Sequence, residues 1–242
     1  MSDAVATDGL SAIPSVVRWL ATTLFVVAVP LFLIIGSVLD VAADRDFYAT
    51  EFAKYGVGRV TGLDDPQLMA VADSFIAYLR DPAARLDTVE VTLNGTRRQL
   101  FNEKELHHMA DVKVIFNLVR QVRLVAGAVL LILPLVGLWL VGGAILPRLG
   151  MVLAAGGILT VVVLGLAGLL SLVDFSSAFV MFHELAFSND LWMLDPRTDY
   201  LIMLYPEGFW LDATLRIAML SAVEAAILGA VGLGLAYFGV RR

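Results

Sequence analysis

The side chains of this protein that are best suited to proton transfer are its three histidines, which lie in two separate polar segments. His107 and His108 come shortly before a long apolar run, and His183 comes shortly after another. Histidine titrates near neutral pH, so a pair of imidazoles can take up and deliver protons during catalysis. The pattern predicts a site that both polar segments build together at the edge of a membrane.

Carboxylates lie at helical spacing around the first two histidines. Glu105 and Asp111 are each three residues from His108, and Asp111 is four residues from His107. A neighbouring carboxylate can select one imidazole tautomer and favour the protonated ring. The same spacing is also typical of a solvated helix face, and it does not distinguish His107 from His108 as the functional residue.

A zinc site is an alternative use of the same side chains, because zinc binds nitrogen and oxygen ligands. Its ligands would be one of the two adjacent histidines together with Asp111 and His183. The pair His183-Glu184 does not begin a zincin motif, since a phenylalanine stands at position 187. We expect no metal and no other cofactor. The absence of cysteine excludes disulfides and thiolate nucleophiles.

Aromatic side chains crowd the second polar segment, where nine rings lie within residues 173–216. A belt of rings at a membrane surface is the ordinary explanation. Apolar walls with a few placed polar groups also describe a lipid-binding pocket. The predicted pocket residues are Phe182, Phe187, Trp192, Tyr205 and Phe209. The predicted supporting polar residues of this segment are Glu184, Asn189, Asp190, Asp199 and Glu207.

The composition indicates a membrane protein, because 59% hydrophobic residues and a mean hydropathy of +0.83 are too apolar for a soluble domain of this size. Residues 17–39, 124–145, 150–172 and 217–240 each form an apolar segment of about 20–25 residues, long enough to cross a bilayer. The fourth segment carries one charged residue, Glu224, near its middle, and the first carries Arg18 next to its N-terminal end. We interpret Glu224 as a carboxyl that bonds between helices, with a functional role as the alternative.

These segments predict an all-α membrane protein with four transmembrane helices. Residues 40–123 and 173–216 would form an extracytoplasmic α+β cap made from the two long loops. Residues 1–16 would be a short cytoplasmic N-terminus, and residues 146–149 a cytoplasmic turn.

The orientation follows from the short segments, where Arg18, Arg148, Arg241 and Arg242 outnumber the two acidic residues Asp3 and Asp8. Short cytoplasmic segments are enriched in Lys and Arg, whereas long loops translocate largely regardless of charge. The net charge of −6 and the absence of a basic patch do not suggest a nucleic-acid partner.

Local patterns predict the elements of the cap. Residues 66–80 have the apolar spacing of a helix, and residues 88–93 alternate as a strand does. Asn94-Gly95 is a strong signal for a two-residue hairpin turn, with residues 98–101 as the return strand. From Glu103 the pattern is helical and is expected to continue into the second apolar segment.

Two long motifs carry a resemblance to a known family. The first is Leu100-Phe-Asn-Glu-Lys-Glu-Leu-His-His-Met-Ala-Asp-Val-Lys113. The second runs from His183 through Ser188-Asn-Asp-Leu-Trp192, Asp195-Pro and Asp199 to Tyr205-Pro-Glu-Gly-Phe209. With four apolar segments and an outer cap, the chain resembles the lipoprotein intramolecular transacylase (Lit) family of bacterial membrane proteins.

The resemblance implies an enzyme of the bacterial cytoplasmic membrane whose substrate is a diacylglyceryl lipoprotein. The sn-2 acyl chain would move to the amine of the N-terminal cysteine, giving a lyso-form lipoprotein. His108 and His183 would be the catalytic residues, and we expect a monomer among membrane lipids. The alternatives are a zinc-dependent membrane hydrolase and a non-enzymatic lipid-binding or assembly protein.

Overall fold

The computed structural model of the chain describes residues 13–81 and 83–240, so the arginines and acids at the two ends that entered the orientation argument, Asp3, Asp8, Arg241 and Arg242, lie outside the described residues. The chain divides into two compact units. Unit 1 contains Met1–Ser37, Val119–Gly168 and Ile217–Arg242, and unit 2 contains Val38–Leu118 and Leu169–Arg216.

Within the described residues, three helical segments are long and apolar enough to cross a membrane. The first is α1 (Ser15–Val41). The second covers 71 residues, Glu103–Val173, and the third covers Glu207–Gly239. The second contains helix α5 (Glu103–Val141), a 3-10 turn (Gly142–Ile145) and helix α6 (Leu146–Val173). Helix α5 confirms that the helix beginning at Glu103 runs unbroken into the apolar segment.

The chain folds back at the 3-10 turn, which lies four residues earlier than the predicted turn at residues 146–149. Gly142 adopts a φ of +58°, a left-handed conformation that glycine enters at little cost. A β-carbon at Gly137 would lie 2.9 Å from the side chain of Ile145, a proximity that a straight helix does not allow. Residues 146–149 instead begin α6, because Pro147 is tolerated in the first turn of a helix.

In unit 1 the helices approach closely where side chains are small. On α6, a β-carbon at Gly150 would lie 2.4 Å from the carbonyl oxygen of Gly232, so the two backbones touch there. The hydroxyl of Ser221 donates to that of Ser37 over 2.9 Å, and both residues are buried. Small residues and buried hydroxyl pairs are how membrane helices associate in the absence of a hydrophobic driving force.

Unit 2 combines short helices with one hairpin. Its further helices and strands are α2 (Arg45–Lys54), α3 (Val57–Thr61), α4 (Asp65–Arg80), β1 (Glu90–Leu93), β2 (Thr96–Gln99), α7 (Phe175–Ala186) and α8 (Tyr200–Leu204). The last helix, α9 (Glu207–Gly239), begins in unit 2 and continues in unit 1. Helix α4 confirms the predicted helix at residues 66–80, and its apolar face is buried.

The hairpin confirms the predicted two-residue turn. Asn94 and Gly95 have φ values of +53° and +76°, and Leu93 pairs with Thr96 across them. Positive φ at both turn positions is the type I′ geometry that matches the twist of a hairpin. The return strand, Thr96–Gln99, begins two residues before the predicted one, because pairing starts directly after a two-residue turn.

Candidate active site

The structure brings His108 and His183 together in unit 2. Their ring centroids are 6.1 Å apart with the planes tilted by 34°, and the residues are 6% and 8% exposed. His108 lies on α5 and His183 on α7. The neighbouring His107 is exposed, because successive residues on a helix point about 100° apart. The structure therefore distinguishes His108, buried beside His183, from the exposed His107, a distinction that the sequence could not make.

The backbone of α7 fixes the tautomer of His183. Its Nδ1 lies 2.7 Å from the carbonyl oxygen of Phe179, one helical turn earlier. A carbonyl oxygen can only accept, so Nδ1 carries the proton and the neutral ring keeps its lone pair on Nε2. Burial lowers the pKa of His183, and the bond to Phe179 opposes that effect in part. The ring is thus held as a neutral base.

His108 has no comparable anchor. Its Nδ1 is buried and makes no hydrogen bond within the described part of the chain. The edge of the ring meets Phe187, with centroids 5.1 Å apart. A buried ring nitrogen without a partner costs free energy unless a ligand satisfies it. The free Nδ1 is therefore available to a bound substrate.

Aromatic rings enclose the imidazole pair. Phe179, Phe182, Phe187 and Trp192 place their ring centroids 4.2, 5.3, 5.6 and 5.0 Å from that of His183. Phe182 is 54% exposed. The imidazole pair therefore has apolar rings on several sides, one of them partly exposed, and this environment suits an acyl chain better than a hydrated substrate.

Two of the predicted pocket residues belong to the core of unit 2 instead. Tyr205 and Phe209 are 2% and 4% exposed. The ring of Tyr205 lies 4.8 Å from that of Phe75, and the ring of Phe209 lies 5.2 Å from that of Phe47. This core assembles rings from α2, α4 and the start of α9, which sequence spacing within one segment could not reveal.

Glu105 holds the start of the helix that carries His108. Its carboxylate accepts from the backbone N–H of Asn102 over 2.8 Å, and the side chain of Asn102 accepts from the N–H of Glu105 over 3.0 Å. This reciprocal pair is a capping box. The other carboxylate oxygen accepts from the N–H of Leu201 over 2.6 Å. Glu105 therefore joins α5 to α8, and its oxygens are directed to backbone groups rather than to an imidazole.

Asp199 belongs to the same network. It is buried and accepts from the side-chain amide of Asn102 over 3.0 Å and from the N–H of Asp195 over 2.8 Å. The network fixes the position of His108 one turn along α5, because it defines where that helix begins. In the aromatic core, burial raises the pKa of Tyr205 well above its usual value, so its hydroxyl stays protonated.

The remaining predicted polar residues have separate roles. The side-chain amide of Asn189 donates to Asp111 over 2.9 Å, which ties the loop after α7 to α5. The hydroxyl of Ser176 donates to Glu207 over 2.7 Å. Glu184 and Asp190 are exposed.

Sequence reasoning missed two contributors to the site. Asn102 could have been found, because an asparagine three residues before a glutamate at the start of a helical pattern is the signature of a capping box. The carbonyl bond of Phe179 could not, because every residue has a carbonyl, whereas its ring lies four residues before His183 at helical spacing. Among the described residues, no group of three or more His, Asp and Glu side chains could hold a metal ion.

Comparison with known proteins shows the family to which the chain belongs. The family model described as lipoprotein intramolecular transacylase Lit matches residues 23–210. A curated protein of Aquifex aeolicus (strain VF5), called an uncharacterized protein, is 33% identical over 128 residues, which is 53% of each chain. The chain thus spans about half the length of the curated relative that it matches.

Solved structures share the fold. The in meso structure of the membrane integral lipoprotein intramolecular transacylase Lit from Bacillus cereus has a TM-score of 0.77 at 21% identity and covers 95% of this chain and 100% of that one. A variant with one histidine replaced by alanine has a TM-score of 0.73 at 20% identity, covering 92% and 95%. With its long apolar helices, the chain is a multi-pass membrane protein, and it belongs to the lipoprotein intramolecular transacylase (Lit) family.

Proposed function

We propose that this protein moves the sn-2 acyl chain of a diacylglyceryl lipoprotein to the amine of the same lipoprotein's N-terminal cysteine. The observation that carries the proposal is the pair of buried imidazoles 6.1 Å apart, of which one has its tautomer fixed. The product is a lyso-form lipoprotein with an N-acyl cysteine and a monoacylglyceryl thioether.

His183 is the general base. Its Nε2 lone pair takes a proton from the cysteine nitrogen as that nitrogen attacks the ester carbonyl carbon. The new C–N bond converts the carbonyl into a tetrahedral oxyanion. The carbonyl oxygen of Phe179, 2.7 Å from Nδ1, stabilises the imidazolium that forms.

His108 acts on the oxyanion and the leaving group. Its ring faces that of His183 and has an unused buried Nδ1 that can bond to substrate oxygen. When the intermediate collapses, the ester C–O bond breaks and the glycerol oxygen receives, through His108, the proton that His183 took from the cysteine nitrogen, so that both imidazoles return to the neutral form. The total number of acyl chains on the molecule is unchanged, and no acyl-enzyme forms.

The aromatic walls supply confinement. Donor and acceptor belong to one molecule, so the main task is to hold the amine against the ester. Well-oriented intramolecular reactions gain effective molarities of roughly 10⁵–10⁸ M, and acid–base help adds about 10²–10⁴-fold. Phe187 and Trp192 bound the space beside His183 where the folded substrate would lie.

The chain crosses the membrane four times in this proposal. A straight helix of 71 residues would be about 105 Å long, over three times a hydrocarbon core of about 30 Å. The fold-back at Gly142–Ile145 divides that segment into two crossings. Arg18 and Arg148 lie near the ends that face the cytoplasm, which puts the cap of residues 40–123 and 173–216 on the outer side.

The test is mass spectrometry of a reporter lipoprotein's N-terminal peptide. The host lacks any N-acylating enzyme and either contains or lacks this protein. We expect an N-acyl cysteine bearing a monoacylglyceryl group, with total acyl mass unchanged, only when the protein is present. A diacylglyceryl cysteine with a free amine in both hosts would overturn the proposal for that substrate.

A further inference from the structure

Helix α7 has an exposed apolar side. Met181 and Leu185 are 48% and 82% exposed. Each is two residues from His183, and two residues rotate a helix by about 200°, so both lie roughly opposite the buried imidazole. Glu184 is also exposed but lies along a different edge of the helix. A large exposed apolar patch on a folded protein marks a surface that meets something other than water.

The same kind of surface continues along the chain immediately before α7. The four apolar residues at the end of α6 are all more than half exposed, namely Leu169, Leu170, Leu172 and Val173. Only Asp174 separates α6 from α7. Helix α6 belongs to the apolar segment Glu103–Val173, and only 11% of the most apolar 18-residue stretch of that segment is buried. The apolar side of α7 therefore follows directly, along the chain, on the exposed apolar end of a candidate membrane-spanning helix.

We propose that α7 is an interfacial helix, with Met181 and Leu185 buried among the phospholipids at the acyl–glycerol boundary of the bilayer. Its 12 residues are too few to cross, since a crossing needs about 20. Amphipathic helices of this kind lie in the membrane plane with the apolar side about 5–10 Å below the headgroups. No Lys or Arg lies within Phe175–Ala186, so the contact depends on apolar burial rather than on lipid charge.

This placement of α7 also bears on how a substrate reaches the imidazole pair, an argument that rests on the proposed function. His183 lies across one helix, about 10 Å thick, from the lipid-facing side chains. An ester of a membrane-anchored substrate lies at the acyl–glycerol boundary. Such a substrate would reach the imidazole pair past Phe182 without leaving the bilayer.

The chain has no cysteine, so single-cysteine reporters test the proposal directly. Met181→Cys and Leu185→Cys are the test variants. Glu184→Cys is the matched control on the same helix, and Thr96→Cys on the exposed hairpin strand is the aqueous reference. Each purified variant is labelled with a fluorophore in phosphatidylcholine vesicles. Quenching by lipid-borne nitroxide is then compared with quenching by aqueous iodide.

We expect the ratio of lipid to aqueous quenching to be several-fold higher at positions 181 and 185 than at 184, and lowest at 96, without dependence on added salt. Ratios at 181 and 185 equal to that at 96 would overturn the proposal. Protection from both quenchers, together with disulfide cross-links between Leu185→Cys chains, would also overturn it by showing that a second copy covers the face. The readout needs no acyl transfer, so its failure leaves the proposed function standing.

Discussion

Two aromatic-rich regions of unit 2 look alike in sequence and differ in structure. Around His183, the rings of Phe182, Phe187 and Trp192 enclose two imidazoles and remain partly exposed. Tyr205 and Phe209, by contrast, are almost fully buried and pack against the rings of Phe75 and Phe47. The first region surrounds two ionisable rings, as the proposed substrate site requires, whereas the second is a core that holds α2, α4 and α9 together.

The difference shows that ring content alone does not define a binding site. What distinguishes the first region is the presence of ionisable groups with unused atoms, namely Nε2 of His183 and Nδ1 of His108. Substitutions in the two regions should therefore separate cleanly into losses of rate and losses of stability.

The largest effect is expected at the imidazole pair. His108→Ala and His183→Ala should each lower the rate of lyso-form production by about 10²–10⁴-fold, because each removes a group that moves or stabilises charge. Because both rings are buried, the rate is expressed per folded protein, so that stability lost to the cavity is not counted as a loss of catalysis. His107→Ala is the matched control, because the neighbouring exposed imidazole should be dispensable. A normal rate in either buried variant, or an equal loss in the control, would contradict the assignment.

The core should respond in the opposite way. Phe209→Ala should destabilise unit 2 by about 3–5 kcal/mol, because it leaves a cavity among buried rings. Phe182→Ala, at a half-exposed ring, should lower the rate while leaving the unfolding midpoint nearly unchanged. For both variants, thermal unfolding in detergent measures the stability, and the rate is measured per folded protein. A stability loss at Phe182 as large as that at Phe209 would remove the distinction between the two regions.

The pH dependence of the rate sharpens the assignment of His183. Burial lowers its pKa, so the neutral base persists to more acidic pH than an ordinary histidine, whose pKa is about 6.5. The rate should therefore fall as pH decreases in two steps, the first near the pKa of about 7.7–8.0 of the substrate amine and the second, from His183, below 6.5. A pH–rate profile in vesicles measures both, and His107→Ala should keep the same two inflections. A profile with no inflection below 6.5 would contradict the role of His183 as the base.

The smallest effect is expected at the bond between Asp111 and Asn189. A hydrogen bond of this kind contributes about 0.5–1.5 kcal/mol net, which corresponds to a rate loss of a few-fold if it positions the loop beside the site. Asp111→Ala and Asn189→Ala should lower kcat rather than raise KM, and the double variant should be no worse than either single one. Additive losses would show that the two residues act independently.

The sequence predicted the features that depend on local pattern. The hairpin turn at Asn94-Gly95, helix α4 and the uninterrupted helix from Glu103 follow from turn chemistry and periodicity. The chain folds back at Gly142 and not at the predicted residues 146–149, because several small and apolar residues in this region can each accommodate a turn.

The parts that the sequence could not predict depend on packing between distant segments. The choice between His107 and His108 requires the rotation of α5 against α7, which a single sequence does not contain. The division of the rings into a site and a core depends likewise on partners from α2 and α4, more than a hundred residues away in the chain.

An isotopic crossover experiment tests whether acyl transfer is intramolecular. Two diacylglyceryl reporters with distinguishable peptides, one carrying deuterated acyl chains, are mixed with the purified protein in vesicles, with His183→Ala as the inactive control. We expect that every N-acyl cysteine keeps the isotope that its own peptide carried. Exchange of deuterium between the two peptides, or N-acylation by the control at the normal rate, would contradict this expectation.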